Sequence, residues 1–312
     1  MKPIKLQSQR LRILLGTRFP RGWPLPFNPR VDWIQVEYGT PRYWRELARA
    51  HGVVTLLSHK IDAAFLKRAP LLRVVAQYAV GYENIDLAAC EKCNVRIVNT
   101  PGVLTRSTAE CAATLLLSCA RRTREGMELC NRGAFKGWKP DLYLGIELKN
   151  KHAVLVGEGR IGMETAKLFR ALGMKTHFIS RNTSIANINR LLCLAEVLSL
   201  HMAYRPELKH WLNSKRLALL PKNSIVINTA RGALIDEKAL ARQLVRGHLF
   251  AVGLDVFERE PSIEPILKKH PRAHLLPHLG SATVEARIQM FRLATQSCLQ
   301  LLLGKNVKNE VT

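Results

Sequence analysis

The chain has 312 residues, 47% hydrophobic and 23% charged, which is ordinary globular usage and excludes a disordered, collagen-like or low-complexity protein. No apolar run approaches the roughly 18–20 residues that span a bilayer, and no apolar core with a cleavage site follows the basic segment Met1 to Gln9, so the expectation is a cytoplasmic protein away from the membrane. Lys and Arg number 48 against 24 Asp and Glu, a net charge of +24 that is spread along the chain and favours anionic substrates and cofactors without marking one polyanion-binding face.

Short apolar runs alternate with amphipathic stretches, the pattern of an α/β protein. Arg12–Leu15 and Asp32–Val36 read as strands and Pro41–Ala50 as a helix. Val53–Leu57 is a strand, Ile61–Arg68 a short helix, Leu72–Ala76 a strand, Ile85–Cys93 a helix and Arg96–Val98 a short strand. One long Ala- and Leu-rich helix is predicted from Ser107 to about Arg132. Gly133 to Leu148 reads as a loop. Strands follow at Ala153–Val156, Lys175–Ile179, Val197–Leu200, Ser224–Ile227, Ala251–Leu254 and Leu275–Leu276, separated by helical stretches. Val284–Leu303 is a last long helix. The seven cysteines are scattered and expected to stay reduced, and the Cys90–Cys93 pair reads as coincidence on a helix rather than a zinc or redox site.

Four segments carry chemistry. The strand ending at Val156 runs into Gly157-Glu158-Gly159-Arg160-Ile161-Gly162 and a helix. A dinucleotide needs this order: a tight turn, close backbone approach to the pyrophosphate, and a helix N-terminus with free N–H groups. The structural turn is the competing reading. The next strand ends in Ser180-Arg181-Asn182-Thr183, with no acidic residue to accept from a ribose 2′-OH. Arg181 could instead pair with a 2′-phosphate, which favours NADP with NAD as the alternative. The bland reading leaves Arg181 solvated. Three further strand ends carry Asn228-Thr229-Ala230-Arg231-Gly232, Asp255 to Pro261 with Glu260, and Pro277-His278-Leu279-Gly280-Ser281. Singly, each is most simply a surface arginine, a solvated acid or a packed histidine. Together, at the carboxyl ends of strands in one open sheet, they point to a ligand cleft.

This set resembles the D-isomer-specific 2-hydroxyacid dehydrogenases, most closely their glyoxylate/hydroxypyruvate reductase branch. The resemblance covers nearly the whole chain, including Leu56-Leu57-Ser58, Val75 to Asp86, Asn99 to Thr105 and Gly137 to Pro140. It implies two doubly wound parallel-sheet domains, Rossmann- and flavodoxin-like, with the active site in the cleft between them. Residues 1–103 plus 283–312 would form the substrate domain and 104–282 the NAD(P)-binding domain. Arg231 would bind the substrate carboxylate. His278 would be the general acid in reduction, and Glu260 would orient it and raise its pKa. The chemistry agrees: a ketone gaining hydride develops negative charge on oxygen, which a cationic imidazolium stabilises. Ser58, Val80 and Gly81 would touch substrate. Thr108 and Asp255 would lie at the nicotinamide, with Thr229, Ala230 and Gly280 also on the cofactor. Trp138 would reach toward a partner's active site or make a hydrophobic loop contact. The family implies a homodimer.

There are departures from the family pattern. Glu83 replaces the usual Asp and Arg106 a common acidic residue. The stretch from Arg181 to Val197 is shorter than usual and leaves out an edge strand that helps wall the adenine pocket. The expected reaction is NAD(P)H-dependent reduction of a small anionic 2-keto acid, glyoxylate or hydroxypyruvate, to the D-2-hydroxy acid. A dehydrogenase for another 2-keto acid and a nucleotide-sensing relative without catalysis are the alternatives. Joint presence of Arg231, Glu260 and His278 favours turnover, because a sensor needs no proton donor. The chain has no recognised nucleic-acid module, and no metal is implied.

Overall fold

Runs of Val, Ile, Leu and Ala bounded by turn residues become parallel strands that are buried on both faces. The structure, a computed structural model, describes residues 10–311, so the basic stretch Met1 to Gln9 lies outside the described residues. In chain order come β1 (Leu11–Leu15), β2 (Val31–Gln35), β3 (Gly52–Thr55), β4 (Val74–Gln77) and β5 (Arg96–Val98). They pair in parallel in the order β5-β4-β3-β1-β2. Every residue of β3 and β4 is buried. The connecting helices Pro41–Leu47, Ala63–Lys67 and Leu87–Lys92 start at Thr40, Asp62 and Asp86. Each of these side chains accepts an otherwise unpaired first-turn N–H, from Tyr43, Phe65 and Ala89 respectively. Tyr43, Leu47, Phe65 and Cys90 then pack on Leu14, Val53 and Val75.

The chain passes into a second unit, residues 105–282. The predicted long helix is broken there, into Thr105–Arg121 and Thr123–Asn131. Arg122 between them takes φ +52°, a left-handed backbone that ends the first helix. Its guanidinium makes this worthwhile: Nε donates to Glu125 Oε2 at 2.7 Å, Nη2 to Glu125 Oε1, and the group lies over the Tyr143 ring. Helical periodicity alone does not register a one-residue break of this kind.

The strands of this unit are β6 (His152–Val156), β7 (Lys175–Ile179), β8 (Val197–Leu200), β9 (Ser224–Asn228), β10 (Leu249–Leu254) and β11 (Ala273–Leu275). All are parallel, in the order β11-β10-β9-β8-β6-β7. Alternate residues serve the two faces. Leu155, Ile225 and Ala251 meet Leu115, Leu116 and Cys119 of helix Thr105–Arg121. Val154, Leu198, Val226 and Val252 meet Leu191, Leu192, Leu217 and Leu240. Outside β7 no further strand is found among the described residues. Arg106, at the start of the first helix, is paired with Glu110 and Glu164 at 2.6 and 2.9 Å.

From Thr283 the chain belongs again to the first unit. Helix Val284–Leu302 packs on β3 and β4, where a side chain at Gly52 would meet Cys298 Sγ at 2.7 Å. A two-residue strand β12 (Glu310–Val311) then pairs antiparallel with β5. Arg96 Nε and Nη2 hold the two oxygens of Glu310 at 2.6 Å each. So short a strand has no periodicity by which it could be foreseen. Among the described residues no helix is long and apolar enough to cross a membrane.

The Arg122 guanidinium holds the Glu125 carboxyl below its usual range, against the opposite pull of burial. A depressed carboxyl stabilises the fold above its unfolded value of about 4.3 and loses that contribution as pH falls through the folded value. The melting temperature, followed by circular dichroism, should therefore fall below about pH 4. Glu125→Gln should melt lower at neutral pH and show a shallower acid decline.

Candidate active site

The second unit presents its chemistry on loops that leave the carboxyl ends of its strands. At the end of β6 the chain turns sharply at Gly157, with φ +107°. A Cβ there would stand 2.7 Å from the Met202 nitrogen and 2.8 Å from the His201 carbonyl carbon. Gly162 lies in the first turn of helix Arg160–Ala171, and a side chain at it would run into the Gly157 carbonyl oxygen. At Gly159, the N-cap of that helix, a Cβ would meet nothing within 4 Å. The first and third glycines thus close the turn, and the second faces open space at a helix N-terminus. That is where the backbone must admit a pyrophosphate. Glu158 and Arg160 are exposed beside it and Ile161 is half-buried, so the residues present fit a dinucleotide.

The turn after β7 is closed by Thr183. Its hydroxyl oxygen accepts the Ser180 N–H at 2.9 Å, and its own N–H donates to the Ser180 carbonyl at 3.2 Å. Arg181 and Asn182 are exposed at the tip. Arg181 makes no ion pair among the described residues, and no carboxylate stands in this turn. His201, after β8, has its Nδ1 buried without a partner, while its other ring nitrogen meets Ser199 Oγ at 2.8 Å. Burial pushes its pKa down to about 3, so it is a neutral imidazole.

The loops after β9, β10 and β11 lie side by side, because those strands are neighbours. Asn228, 1% exposed, shapes the first. Its Oδ1 accepts the Ala230 N–H at 3.0 Å, and its Nδ2 donates to the Arg231 carbonyl at 2.9 Å. Arg231 is half-buried and one guanidinium nitrogen returns to the Ala230 carbonyl at 2.7 Å. Thr229 beside it is buried, with an unpaired hydroxyl.

His278 Nδ1 meets Glu260 Oε2 at 3.0 Å, and Glu260 Oε1 accepts the Phe257 N–H at 3.1 Å. Burial pushes the Glu260 carboxyl up, but the His278 bond and the Arg231 charge outweigh it and the net shift is downward. Glu260 is therefore a carboxylate at neutral pH. It takes the Nδ1 proton as acceptor and leaves His278 Nε2 as the nitrogen for proton exchange. Arg231, Glu260 and His278 are thus brought into one electrostatic group.

The loop bearing His278 is set by Asp255, which is 1% exposed. Its oxygens accept the Leu279 and Gly280 N–H groups at 2.6 and 2.7 Å, and its carbonyl accepts that of His278 at 2.9 Å. These bonds support the left-handed backbone of His278, φ +58°. Burial raises the Asp255 pKa, and the two amides pull it back. Thr108 donates to the Gly280 carbonyl at 3.1 Å, completing the anchorage.

In the first unit, Ser58 is exposed on the loop after β3, and Val80 and Gly81, both half-buried, are on the loop after β4. A buried amide chain ties these loops. Thr55 Oγ1 donates to Gln77 Oε1, Gln77 Nε2 donates to Asn84 Oδ1, and Asn84 Nδ2 donates to the Leu56 and His59 carbonyls. Gln77 and Asn84 stand inside the segment that carries the family resemblance, but nothing in their spacing gave them a role. Trp138, in the 133–148 segment, is 83% exposed.

Residues 113–280 match the family model described as D-isomer specific 2-hydroxyacid dehydrogenase, NAD binding domain. A glyoxylate reductase of Thermococcus litoralis is 40% identical over 273 residues, 83% of this chain and 82% of that protein. A solved protein of Thermus thermophilus is 35% identical with a TM-score of 0.86, covering 97% of this chain and all of that one (100%). An NADPH-dependent glyoxylate/hydroxypyruvate reductase from Sinorhizobium meliloti, solved with NADP and malonate, is 25% identical with a TM-score of 0.82, covering 97% of each chain.

The glycine geometry separates two defects. Gly162→Ala should lower the melting temperature and weaken dinucleotide binding. Gly159→Ala should melt normally, yet bind about tenfold more weakly, a change of about 1.4 kcal/mol, when titrated by quenching of protein fluorescence.

Proposed function

The chain belongs to the D-isomer specific 2-hydroxyacid dehydrogenase family, as an oxidoreductase with a nicotinamide cofactor, and from that premise we propose that it reduces glyoxylate or hydroxypyruvate to the D-2-hydroxy acid. The observation that carries this reading is the His278–Glu260 pair within the field of Arg231. One cation binds a carboxylate, and one imidazolium, held by a carboxylate, offers a proton to a developing alkoxide.

Arg231 pairs with the substrate carboxylate and turns the keto group toward His278. Ser58, Val80 and Gly81 are the substrate contacts of the first unit. A reduced nicotinamide, when bound, would supply the hydride that the keto carbon receives. His278 gives its Nε2 proton to the keto oxygen, so that one hydride and one proton convert the ketone to the alcohol. The Nδ1 proton stays hydrogen-bonded to Glu260, which fixes the orientation of the ring. The neutral imidazole is then reprotonated from solvent. In the oxidative direction the same Nε2 takes the hydroxyl proton.

Thr108, Thr229, Ala230, Asp255 and Gly280 serve the nicotinamide end of the cofactor, and residues 157–162 its pyrophosphate. Ser180, Arg181 and Asn182 serve the adenosine end. Arg181, exposed and without an ion pair on its turn, supports a preference for NADP over NAD. Such an arginine binds a 2′-phosphate by charge-assisted hydrogen bonds. The proposed setting is the cytoplasm. We also assign a homodimer, because Met127, Phe135, Trp138 and Leu144 hold large apolar side chains 65%, 54%, 83% and 63% exposed within one stretch of chain. Large apolar side chains exposed together in one stretch support an interaction surface there.

The decisive assay follows the loss of reduced-nicotinamide absorbance with each keto acid. Wild type should turn over faster with NADPH than NADH. His278→Ala should lose about a thousandfold in kcat, within the roughly 10²–10⁴ usual for a general acid. Arg181→Ala should raise the NADPH KM about tenfold and leave that for NADH unchanged. Faster turnover with NADH would remove the phosphate argument, and turnover that survives in His278→Ala would remove the proton donor.

Analytical ultracentrifugation tests the assembly. The wild type should sediment as a dimer, and Phe135→Glu combined with Trp138→Glu should shift it toward monomer. A monomeric wild type would sink the assignment.

A further inference from the structure

The loop after β4 has its carbonyl groups tied down one after another. Ala79 O accepts the Thr100 N–H at 2.9 Å. Val80 O accepts Asn99 Nδ2 at 2.8 Å, and Gly81 O accepts Gln77 Nε2 at 3.2 Å. In a trans peptide the N–H points opposite to the carbonyl of the same plane. Fixing the carbonyls of Ala79, Val80 and Gly81 therefore fixes the directions of the N–H groups of Val80, Gly81 and Tyr82. Those of Val80 and Gly81 donate to no acceptor among the described residues. Backbone N–H groups on half-buried residues, unpaired and held in direction, form an anion-receiving surface.

The side-chain amides cannot be turned around. Asn99 Nδ2 and Gln77 Nε2 face carbonyl oxygens, which only accept, so each must present its NH₂. Gln77 is held by Thr55 and Asn84. Asn99 is held from the far end of the chain. Its carbonyl accepts Asn309 Nδ2 at 2.6 Å, and its N–H donates to the Asn309 carbonyl at 3.2 Å. Asn309 is 8% exposed, and its Oδ1 accepts the Ser297 hydroxyl at 2.9 Å. Strand β12, clamped by Arg96 and Glu310, begins at the next residue.

We propose that Asn99 is a positioning residue for substrate recognition, with Gln77 holding the peptide plane that follows Gly81, and that Asn309, next to β12, is the buttress of Asn99. Asn99, on the Val80 carbonyl, aims the Gly81 amide at the substrate carboxylate without touching it, beside the Val80 amide that the Thr100 N–H holds through the Ala79 carbonyl. This rests on the reading of Val80 and Gly81 given above. Losing the Asn99 donor frees the peptide plane that carries the Gly81 N–H to rotate, so recognition of the carboxylate weakens while hydride and proton transfer within the bound complex remain.

The test compares Asn99→Leu, Asn99→Asp and Asn309→Ala with wild type. Four quantities are measured: the keto-acid KM, kcat, the Kd for NADPH, and the inhibition constant of oxalate. The two Asn99 variants should raise KM and the oxalate constant in parallel by about tenfold. Their kcat should stay within about threefold and their NADPH Kd at the wild-type value. Asn309→Ala should move the same two quantities in the same direction by less, and it keeps the test open if an Asn99 variant fails to fold. A KM and oxalate constant unchanged in the folded variants would overturn the proposal. So would a parallel rise in the NADPH Kd, which marks general loosening. A wild type that turns over no keto acid would defeat the proposed function instead. In that case oxalate binding by calorimetry decides: binding weakened in Asn99→Leu sustains the amide loop as an anion receiver, and absent or unweakened binding removes it.

Discussion

A buried carboxylate bound to two backbone amides holds the second unit's chemistry in place. Asp255 has 1% of its surface exposed, and burying a charge without compensation costs several kcal/mol. The Leu279 and Gly280 N–H groups supply the compensation. In doing so they decide the path of the loop that carries His278, whose left-handed backbone would otherwise be disfavoured. The hydrogen bond to Glu260 then has a fixed origin. Remove the carboxylate and neither the histidine's position nor its proton inventory is defined.

The two units solve a similar problem with opposite halves of the peptide group. After β10 and β11 a side-chain carboxylate gathers N–H groups. After β4, side-chain amides and one backbone N–H gather carbonyls, so the N–H groups are left over. In both cases a loop is given one conformation by polar contacts to a buried side chain, Asp255 or Gln77. There each satisfied bond matters more, because the alternative is an unpaired group. The glycine turn after β6 achieves the same fixity by contact alone: backbone packs on backbone where no side chain fits.

Much of this was legible in the sequence. The parallel strands were visible as apolar runs, since a strand buried on both faces has to be apolar throughout. The Gly157–Gly162 turn could be read because its steric demand falls on residues at fixed spacing. Arg231, Glu260 and His278 were identified as a set, each at a strand end. The rest had no such regularity. Asn99 and Asn309 meet across a separation of 210 residues, and no local pattern records a contact that only the folded sheet creates. Gln77 and Asn84 look like ordinary polar residues until their partners are known. The helix break at Arg122 depends on one side chain finding Glu125 and Tyr143, which helical periodicity overlooks. The roles of Asp255 and Asn228 toward backbone amides were hidden for the same reason: their partners are main chain, which every residue possesses.

The order in which the chain is synthesised gives the split first unit a consequence of its own. Its strands β1 to β5 emerge first, but helix Val284–Leu302 and β12 follow only after all of residues 105–282. On a ribosome the second unit can therefore complete its sheet while the first still exposes the faces of β3 and β4 that the late helix will cover. The nascent protein thus carries an unfinished apolar sheet through the whole synthesis of its second unit. That interval is the natural window for a chaperone to engage it, and the point at which slow translation would be most costly.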